Sequence, residues 1–242
     1  MLGDRSIGAV KVFKLDELGI PFEEVMNEFS VLQSLKHKNI VKCIGYEHDN
    51  KQNRFYLKME LVDGGTLADR IKRKSLEPSK FKGLMLDIAE GLAYIHGQKV
   101  IHRDLKPENI LLLEKNGQLQ AKIADFGLSA QITSSAASKR NSKGGTTIYF
   151  SPERGHGDKY DEKVDMWALG CISIEMVLEQ RLADPIWSDR PDVKTKREKL
   201  IEDTEQKHSA LGKLARKLLC QEANARISAL QFISSLSEVI FS

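Results

Sequence analysis

Hydrophobic positions in the first 62 residues change from strand spacing to helix spacing and back. The run from Ile7 to Phe13 is rich in apolar and β-branched residues and predicts a strand with Lys11 in its middle. A helix is expected from about Pro21, because apolar residues then recur on one helical face: Val25, Phe29, Leu32 and Leu35. Glu28 falls on the same face and needs a cation to stay charged there, for which Lys11 is the candidate.

The rest of the chain is predicted to be mostly helical. Residues Arg54 to Val62 form one more strand, which ends where Asp63-Gly64-Gly65 turns the chain. Pro78 to His96 then repeats apolar residues at helical spacing, and Val164 to Leu178 is apolar on nearly every side, as expected of a helix at the centre of a fold. Two amphipathic helices are expected near the carboxyl end, over Ser209 to Cys220 and Ile227 to Phe241.

A polar loop from His102 to Asn109 interrupts this pattern, and we call it the catalytic loop. A short predicted strand, 98–101, leads into it, and the apolar run 110–113 leads out as another strand. Asn116-Gly117 is a strong hairpin signal between 110–113 and a further apolar run, 119–124. These two runs should therefore pair antiparallel.

This pairing predicts a metal site at the open end of the hairpin. It brings Asn109, just before the first strand, next to Asp125, just after the second. An amide oxygen and a carboxylate that meet beside Asp104 suit a hard cation that holds phosphates, and magnesium is the cation expected here. The arrangement predicts phosphoryl transfer, with Asp104 accepting the proton of a substrate hydroxyl, Lys106 beside the transferred group, and Asn109 and Asp125 on the metal.

Composition excludes several other classes of protein. The 242 residues are 41% hydrophobic, enough for a sizeable core, and 37 basic against 34 acidic residues leave a charge of only +3, so nothing points to nucleic acid as a partner. Three scattered cysteines suit neither a disulfide framework nor a zinc site. The longest apolar run, 164–178, contains Asp165 and Glu175, so it predicts a buried helix and no membrane segment. A cytoplasmic location is expected, with the nucleus also open.

The chain resembles the eukaryotic protein kinase family through three motifs in the family's order. They are His102-Arg103-Asp104, Asp125-Phe126-Gly127 and, for the family's A-P-E, Ser151-Pro152-Glu153. Lys106 and Thr146 resemble its serine/threonine branch. The resemblance implies an α+β, two-lobed fold with a truncated small β-rich lobe over 1–62 and a large, mainly helical lobe over 63–242. It also implies ATP and magnesium as cofactors and Ser/Thr side chains of proteins as acceptors.

The resemblance further implies roles for individual residues. Lys11 and Glu28 would pair and hold the α- and β-phosphates of ATP. The adenine pocket would be formed by the side chains of Ala9, Met59 and Leu111 and by the backbone of Glu60 and Val62. Two roles would be structural: Asp165 anchors the backbone of the catalytic loop, and Glu153 forms a buried ion pair with Arg226. Glu108 and Glu175 match acidic positions that favour basic residues upstream of the target hydroxyl in some relatives.

Residues 128–150, here called the activation segment, are expected to regulate the chain. Ser142 falls at the family's usual phosphorylation position, and Arg103 is the usual partner of that phosphate. An upstream kinase or autophosphorylation would supply it. The alternative is a serine-rich, solvated loop without a regulatory role.

One departure from the family leaves the function open. The glycine-rich loop should precede the lysine strand by roughly fifteen residues, but only ten residues come before Lys11, and Gly3 and Gly8 do not reproduce the motif. The chain is therefore either a fragment or a variant without this loop. A serine/threonine kinase is the leading interpretation, and a pseudokinase or scaffold and a small-molecule kinase are the alternatives. The region Asp184 to Asp203 fits the family's helical pattern poorly.

Overall fold

The computed structural model describes residues 8–14, 22–126, 130–131 and 147–238, without the side chains of residues 24, 25, 27, 28, 130 and 131. The strands of the described part are β1 (Gly8–Lys14), β2 (Cys43–Asp49), β3 (Arg54–Glu60), β4 (Val100–Ile101), β5 (Ile110–Lys115), β6 (Gln118–Ile123) and β7 (Ala130–Gln131). Its α-helices are α1 (Phe22–Ser34), α2 (Leu67–Lys72), α3 (Pro78–Gly97), α4 (Pro152–His156), α5 (Lys163–Leu178), α6 (Pro191–Lys207), α7 (Ser209–Leu218) and α8 (Ala229–Glu238).

The amino-terminal part is a three-stranded antiparallel sheet in the order β1-β3-β2. Alternate residues of a strand face the same side, and this places Phe13 of β1 and Phe55 and Leu57 of β3 in the core. Helix α1 covers that side, where the ring of Phe29 meets the ring of Tyr46 edge to face, with centroids 4.6 Å apart. The predicted strand around Lys11 and the predicted helix after it are both confirmed.

The larger part is mainly helical and is built around α5. Fourteen consecutive residues of α5, from Val164 to Val177, are buried, which explains why the helix is apolar on nearly every side. It begins at Lys163, whose amide donates to Asp161 Oδ1 at 2.9 Å, but the residue at the cap position itself is Glu162. The two-lobed α+β architecture is thus confirmed. The boundary between residues 62 and 63 stays a prediction.

The turn at Asp63-Gly64-Gly65 is hydrogen-bonded to the hairpin of β5 and β6, which follows the catalytic loop and is here called the catalytic hairpin. Gly64 donates its amide hydrogen to the carbonyl of Leu112 at 2.8 Å, and Leu112 donates to the carbonyl of Gly65 at 2.9 Å. A side chain at position 64 would place its Cβ 2.3 Å from the Leu112 carbonyl oxygen, so only glycine allows this approach. The backbone therefore holds the end of the small lobe against β5.

The hairpin itself matches its prediction. Strands β5 and β6 pair antiparallel with Ile110 opposite Ile123, and Asn116 and Gly117 take positive φ angles of 52° and 71° in the turn between them. The amide of Ala124 donates to the carbonyl of Asn109 at 2.8 Å. This bond fixes Asn109 beside the residue that precedes Asp125.

The carboxyl-terminal region contains a helix that its pattern did not indicate. Helix α6 runs over seventeen residues and begins within the region, Asp184 to Asp203, that fits the family pattern poorly. It buries only Arg197, Ile201 and Thr204, and the guanidinium of Arg197 donates to the carbonyl of Ile186 at 2.8 Å. A helix with so narrow a buried face leaves no clear apolar period. Among the described residues, no helix combines the length and apolar character needed to cross a bilayer.

Candidate active site

The catalytic loop brings three of the four predicted catalytic side chains into direct contact. Lys106 Nζ lies 2.7 Å from Asp104 Oδ2, and Asn109 Nδ2 lies 3.1 Å from the same oxygen. Asn109 Nδ2 also donates to the backbone carbonyl of Asp104 at 2.8 Å. The side chains of Asp104 and Lys106 are 16% and 19% exposed, so the carboxylate lies in a recess that solvent still reaches.

Asp125 lies next to this loop and meets the lysine of β1. Lys11 Nζ is 2.8 Å from Asp125 Oδ1, with 33% of the lysine and 43% of the aspartate side chain exposed. This contact spans the cleft between the small sheet and the end of the catalytic hairpin. The predicted partner of Lys11, Glu28, lies on α1, but its side chain is outside the described residues, so that pair stays a prediction.

The donor set at the hairpin's open end fits magnesium. The amide nitrogen of Asn109 is directed at Asp104, and this leaves the amide oxygen as the atom that a cation would meet. A carboxylate such as that of Asp125 has lone pairs for both an ammonium group and a metal. Magnesium commonly takes one or two protein oxygens and fills its other positions with water and phosphate oxygens. Asn109 and Asp125 meet this requirement, and their binding of magnesium stays a prediction.

The backbone at two site residues takes a conformation that L-residues rarely adopt. The φ angle is 70° at Arg103 and 63° at Asp125. Each such residue costs on the order of 1 kcal/mol or more unless its surroundings hold it in place. Contacts around His102 hold both: its Nε2 lies 3.0 Å from the carbonyl of Ala124, and its ring packs against Phe126 with centroids 4.9 Å apart.

Asp165 on α5 anchors the backbone of the catalytic loop, as the resemblance to protein kinases implies. The carboxylate is 1% exposed and accepts the backbone amide hydrogens of His102 and Arg103, each at 2.9 Å. His96 Nε2, at the end of α3, is 2.9 Å from the same carboxylate. Burial alone would raise the pKa of Asp165, but these hydrogen bonds and the nearby histidines lower it below its ordinary value.

Sequence reasoning missed the positioning role of two histidines. His102 appears in the motif without a role, and His96 appears only as the end of a predicted helix. The sequence signal that could have identified His96 is its position, because it is a polar residue at the end of an apolar helix that leads into the catalytic loop. Its partner Asp165 is 69 residues away, and sequence spacing alone does not reveal that contact.

The predicted adenine-binding residues lie on the small sheet, on the segment that follows it and on the hairpin. Ala9 pairs with Met59 across β1 and β3, and Leu111 lies on β5. The amide of Glu60 donates to the carbonyl of Lys42 at 3.0 Å, so any hydrogen bond from Glu60 to a base must use its carbonyl oxygen. Val62 follows β3 and is half-buried. Their contact with a nucleotide stays a prediction.

Most of the predicted regulatory site lies outside the described residues. This applies to Ser142, to Thr146 and to most of the activation segment. Arg103 is described: its guanidinium carbon is 5.4 Å from the centroid of the Tyr160 ring, and its Nε is buried without a hydrogen-bond partner among the described residues. Its role as the partner of a phosphate stays a prediction.

The predicted structural ion pair is present. Arg226 Nη1 and Nη2 each donate to one oxygen of Glu153 at 2.7 Å, and the arginine side chain is fully buried. The remaining N–H groups of the guanidinium donate to backbone carbonyls, so the buried charge is fully partnered. This pair fixes α4, which follows the activation segment, next to the connection between α7 and α8 that carries Arg226.

Comparison with known proteins agrees with this geometry. The family model described as Protein kinase domain matches residues 2–236. The chain is 37% identical over 177 residues to Serine/threonine-protein kinase 1 of Arabidopsis thaliana, covering 72% of this chain and 20% of that protein. It is 38% identical over 167 residues to Myosin light chain kinase A of Dictyostelium discoideum, covering 68% and 55%, and 39% identical over 178 residues to Aurora kinase A-B of Xenopus laevis, covering 72% and 41%.

The chain thus spans between a fifth and just over half of the length of these curated relatives. The resemblance stated from the three motifs is confirmed, since the family model extends over nearly the whole chain. The chain belongs to the protein kinase domain family.

Proposed function

We propose that this chain transfers the γ-phosphoryl group of ATP to serine or threonine hydroxyls of proteins. The observation that carries the proposal is the cluster of Asp104 with Lys106 at 2.7 Å and Asn109 at 3.1 Å, beside the contact of Lys11 with Asp125 at 2.8 Å. These residues supply a proton acceptor, two cations and a pair of oxygen ligands within one cleft. Phosphoryl transfer needs this combination, because its catalysis consists mainly of positioning and charge stabilisation.

Each residue has a distinct role in this proposal. Asp104 accepts the hydrogen bond of the substrate hydroxyl and takes its proton as the new bond to phosphorus forms. Lys106, which already contacts Asp104, stabilises the negative charge of the transferred group. Asn109 and Asp125 would hold magnesium, which neutralises charge on the phosphates when bound. Lys11, together with Glu28, would hold the α- and β-phosphates.

The test is transfer of labelled phosphate from ATP to a generic protein such as casein. Asp104→Asn should lower kcat by about 10²- to 10⁴-fold, because an amide cannot accept the proton. Asp184→Asn is the matched control, since Asp184 is an exposed carboxylate that pairs with Lys196 away from the cleft. Equal activity of the Asp104→Asn protein and the unmutated chain would contradict the assignment.

A pseudokinase or scaffold is the second candidate, because the ten residues given before Lys11 do not reproduce the family's glycine-rich motif. On this alternative the chain would bind partners without transferring phosphate. Absence of transfer, both from this chain and from one extended upstream, with unchanged folding, would favour the scaffold.

We also propose that phosphorylation of Ser142, by an upstream kinase or by the chain itself, orders the activation segment through Arg103. The buried Nε of Arg103 without a described partner supports this role, because a phosphate would supply the missing acceptor. Ser142→Ala should prevent activation by a phosphorylating treatment, whereas Ser138→Ala should not. A Ser142→Ala protein that is activated like the unmutated chain would refute it.

A cytoplasmic location remains part of the proposal.

A further inference from the structure

The two carboxylates expected to attract basic residues of a substrate share one arginine of the chain itself. Arg181 Nη2 lies 2.7 Å from Glu108 Oε1, at the edge of the catalytic loop. Arg181 Nε lies 2.9 Å from Glu175 Oε2, an ionic contact without hydrogen-bond alignment. Arg181 Nη2 also donates to the hydroxyl oxygen of Tyr149 at 2.7 Å. The guanidinium therefore occupies the space where a basic side chain would meet both carboxylates.

The turn after α5 directs Arg181 to this position. Helix α5 ends at Leu178, and Glu179 follows with a φ angle of 51°, in the left-handed region that reverses a helix end. The amide of Leu182 then donates to Glu175 Oε1 at 2.7 Å and holds the returning chain against the helix. Arg181, immediately before Leu182, is thereby fixed next to Glu175.

Glu175 is not accessible to a substrate. Its side chain is fully buried, and Oε1 accepts hydrogen bonds from both Tyr149 and Leu182 while Oε2 faces Arg181. Burial raises the pKa of Glu175, with Arg181 opposing that rise. The carboxylate serves as the buried counter-ion of Arg181, and the predicted acidic pair is reduced to Glu108.

Glu108 is accessible but already partnered. Its side chain is 46% exposed and that of Arg181 is 32% exposed, so both reach the surface where a peptide would dock. An incoming arginine would have to displace or share the bond that Arg181 makes within the same molecule. The two carboxylates and the one guanidinium leave a single net negative charge, half of what an open pair would present.

We propose that Arg181 closes this acidic subsite, so that the chain selects substrates without requiring a basic residue upstream of the acceptor hydroxyl. The proposal rests on the proposed kinase function and concerns the same site. It replaces the expectation that Glu108 and Glu175 together favour basic residues. Arg181 is on this view a specificity-determining residue that acts by occupying the subsite.

The test uses peptides that carry a single arginine at one of several positions upstream of an acceptor serine, together with an all-alanine parent. The unmutated chain should prefer no arginine peptide by more than about twofold in kcat/KM, as expected where an exposed charge is already paired. Arg181→Gln combined with Glu175→Gln removes the guanidinium together with its buried counter-ion, and the glutamine oxygen at 175 can still accept from Tyr149 and Leu182. This double variant should gain a preference of about fivefold for an arginine peptide, through the freed Glu108.

Three further variants and a binding measurement separate subsite closure from a merely structural role. Adding Glu108→Gln to the double variant should abolish the gained preference, whereas Arg216→Gln, at an exposed arginine paired with Glu198 and Glu205, should leave the unmutated profile unchanged. Glu108→Gln alone should not alter the response to arginine peptides. This single variant keeps the contact between Arg181 and Glu175, so it can still be tested if the double variant does not fold. Fluorescence anisotropy of labelled peptides gives the same comparison without turnover, so it also decides the question if the chain transfers no phosphate.

Two results would overturn the proposal. The first is an unmutated chain that prefers an arginine peptide by about tenfold or more and loses that preference on Glu108→Gln, since the subsite would then be open. The second is a double variant with unchanged thermal unfolding that binds the peptides with the unmutated profile.

Discussion

Replacing Asp165 by asparagine should disconnect the catalytic loop from the core. The carboxylate uses both oxygens, one for the amide of Arg103 and the other for the amide of His102 and for His96 Nε2, all at 2.9 Å. Asparagine has the same shape but only one accepting oxygen. If that oxygen serves His102 and His96, the amide nitrogen of the side chain faces the amide of Arg103, donor against donor.

The expected loss of stability follows from these three bonds. An unpaired backbone donor in a buried site costs about 1–3 kcal/mol, and loss of the charge weakens each of the two remaining bonds by about 1 kcal/mol. Together these give about 3–5 kcal/mol. The effect on activity should be separate, because Arg103 holds a positive φ angle immediately before Asp104 and loses its anchor. A displacement of the reacting group by about 1 Å lowers kcat by about 100-fold.

Urea unfolding and steady-state kinetics measure the two effects. Asp161→Asn is the matched control, because Asp161 lies four residues before Asp165 and accepts a single bond, from the amide of Lys163 at 2.9 Å. The control should lose about 1 kcal/mol or less and keep its kcat. An Asp165→Asn protein that is within about 1 kcal/mol of the unmutated chain and equally active would show that the loop does not depend on this anchor.

Three further changes probe other parts of the fold. Glu153→Gln should lower the free energy of unfolding by about 3 kcal/mol, because it leaves the fully buried guanidinium of Arg226 without its counter-ion; a loss below about 1 kcal/mol in urea unfolding would contradict this. Gly64→Ala should cost about 1–3 kcal/mol and weaken nucleotide binding, since its Cβ would lie 2.3 Å from the carbonyl oxygen of Leu112; equal thermal unfolding would refute it. Burial lowers the pKa of His208, which caps α7, below its ordinary 6.5. Below pH 6.5 the folded chain therefore binds fewer protons at this site than the unfolded chain does, and the stability of the fold decreases as the pH falls. His208→Asn keeps an acceptor at the cap and should reduce that decrease in stability between about pH 7 and 5, whereas an unchanged pH profile would exclude this cap as its source.

Local sequence signals predicted the parts of the fold that depend on neighbouring residues. The Asn116-Gly117 turn needs positive φ angles that these residues tolerate, so the hairpin and the juxtaposition of Asn109 with the end of β6 follow from it. Helix α5 is apolar on nearly every side, and this predicts a central helix, since no face of it is suited to water. Asp104, Lys106 and Asn109 lie within one loop, and their contacts are correspondingly short-range.

Long-range polar contacts were harder to predict. Arg181 belongs to no motif, and it lies 73 residues from Glu108 in the sequence. Its contact with Glu108 depends on the left-handed turn at Glu179, after α5. The expectation of an open acidic pair overlooked this arginine for that reason. Helix α6 was missed because its buried face includes a charged residue, Arg197, whose guanidinium finds backbone carbonyls.

The buried hydrogen bonds around His102 support the strained backbone at two residues of the site. Arg103 and Asp125 belong to different strand connections, yet both have positive φ angles and both adjoin residues that His102 or Asp165 contacts. His102 Nδ1 accepts from the amide of Asp104 at 3.3 Å, which leaves Nε2 to donate to the carbonyl of Ala124. One imidazole therefore links the backbone of Asp104 to Ala124, the residue before Asp125. A histidine in this place sets the spacing between the two carboxylates through its ring, and no apolar residue of similar size could make either bond.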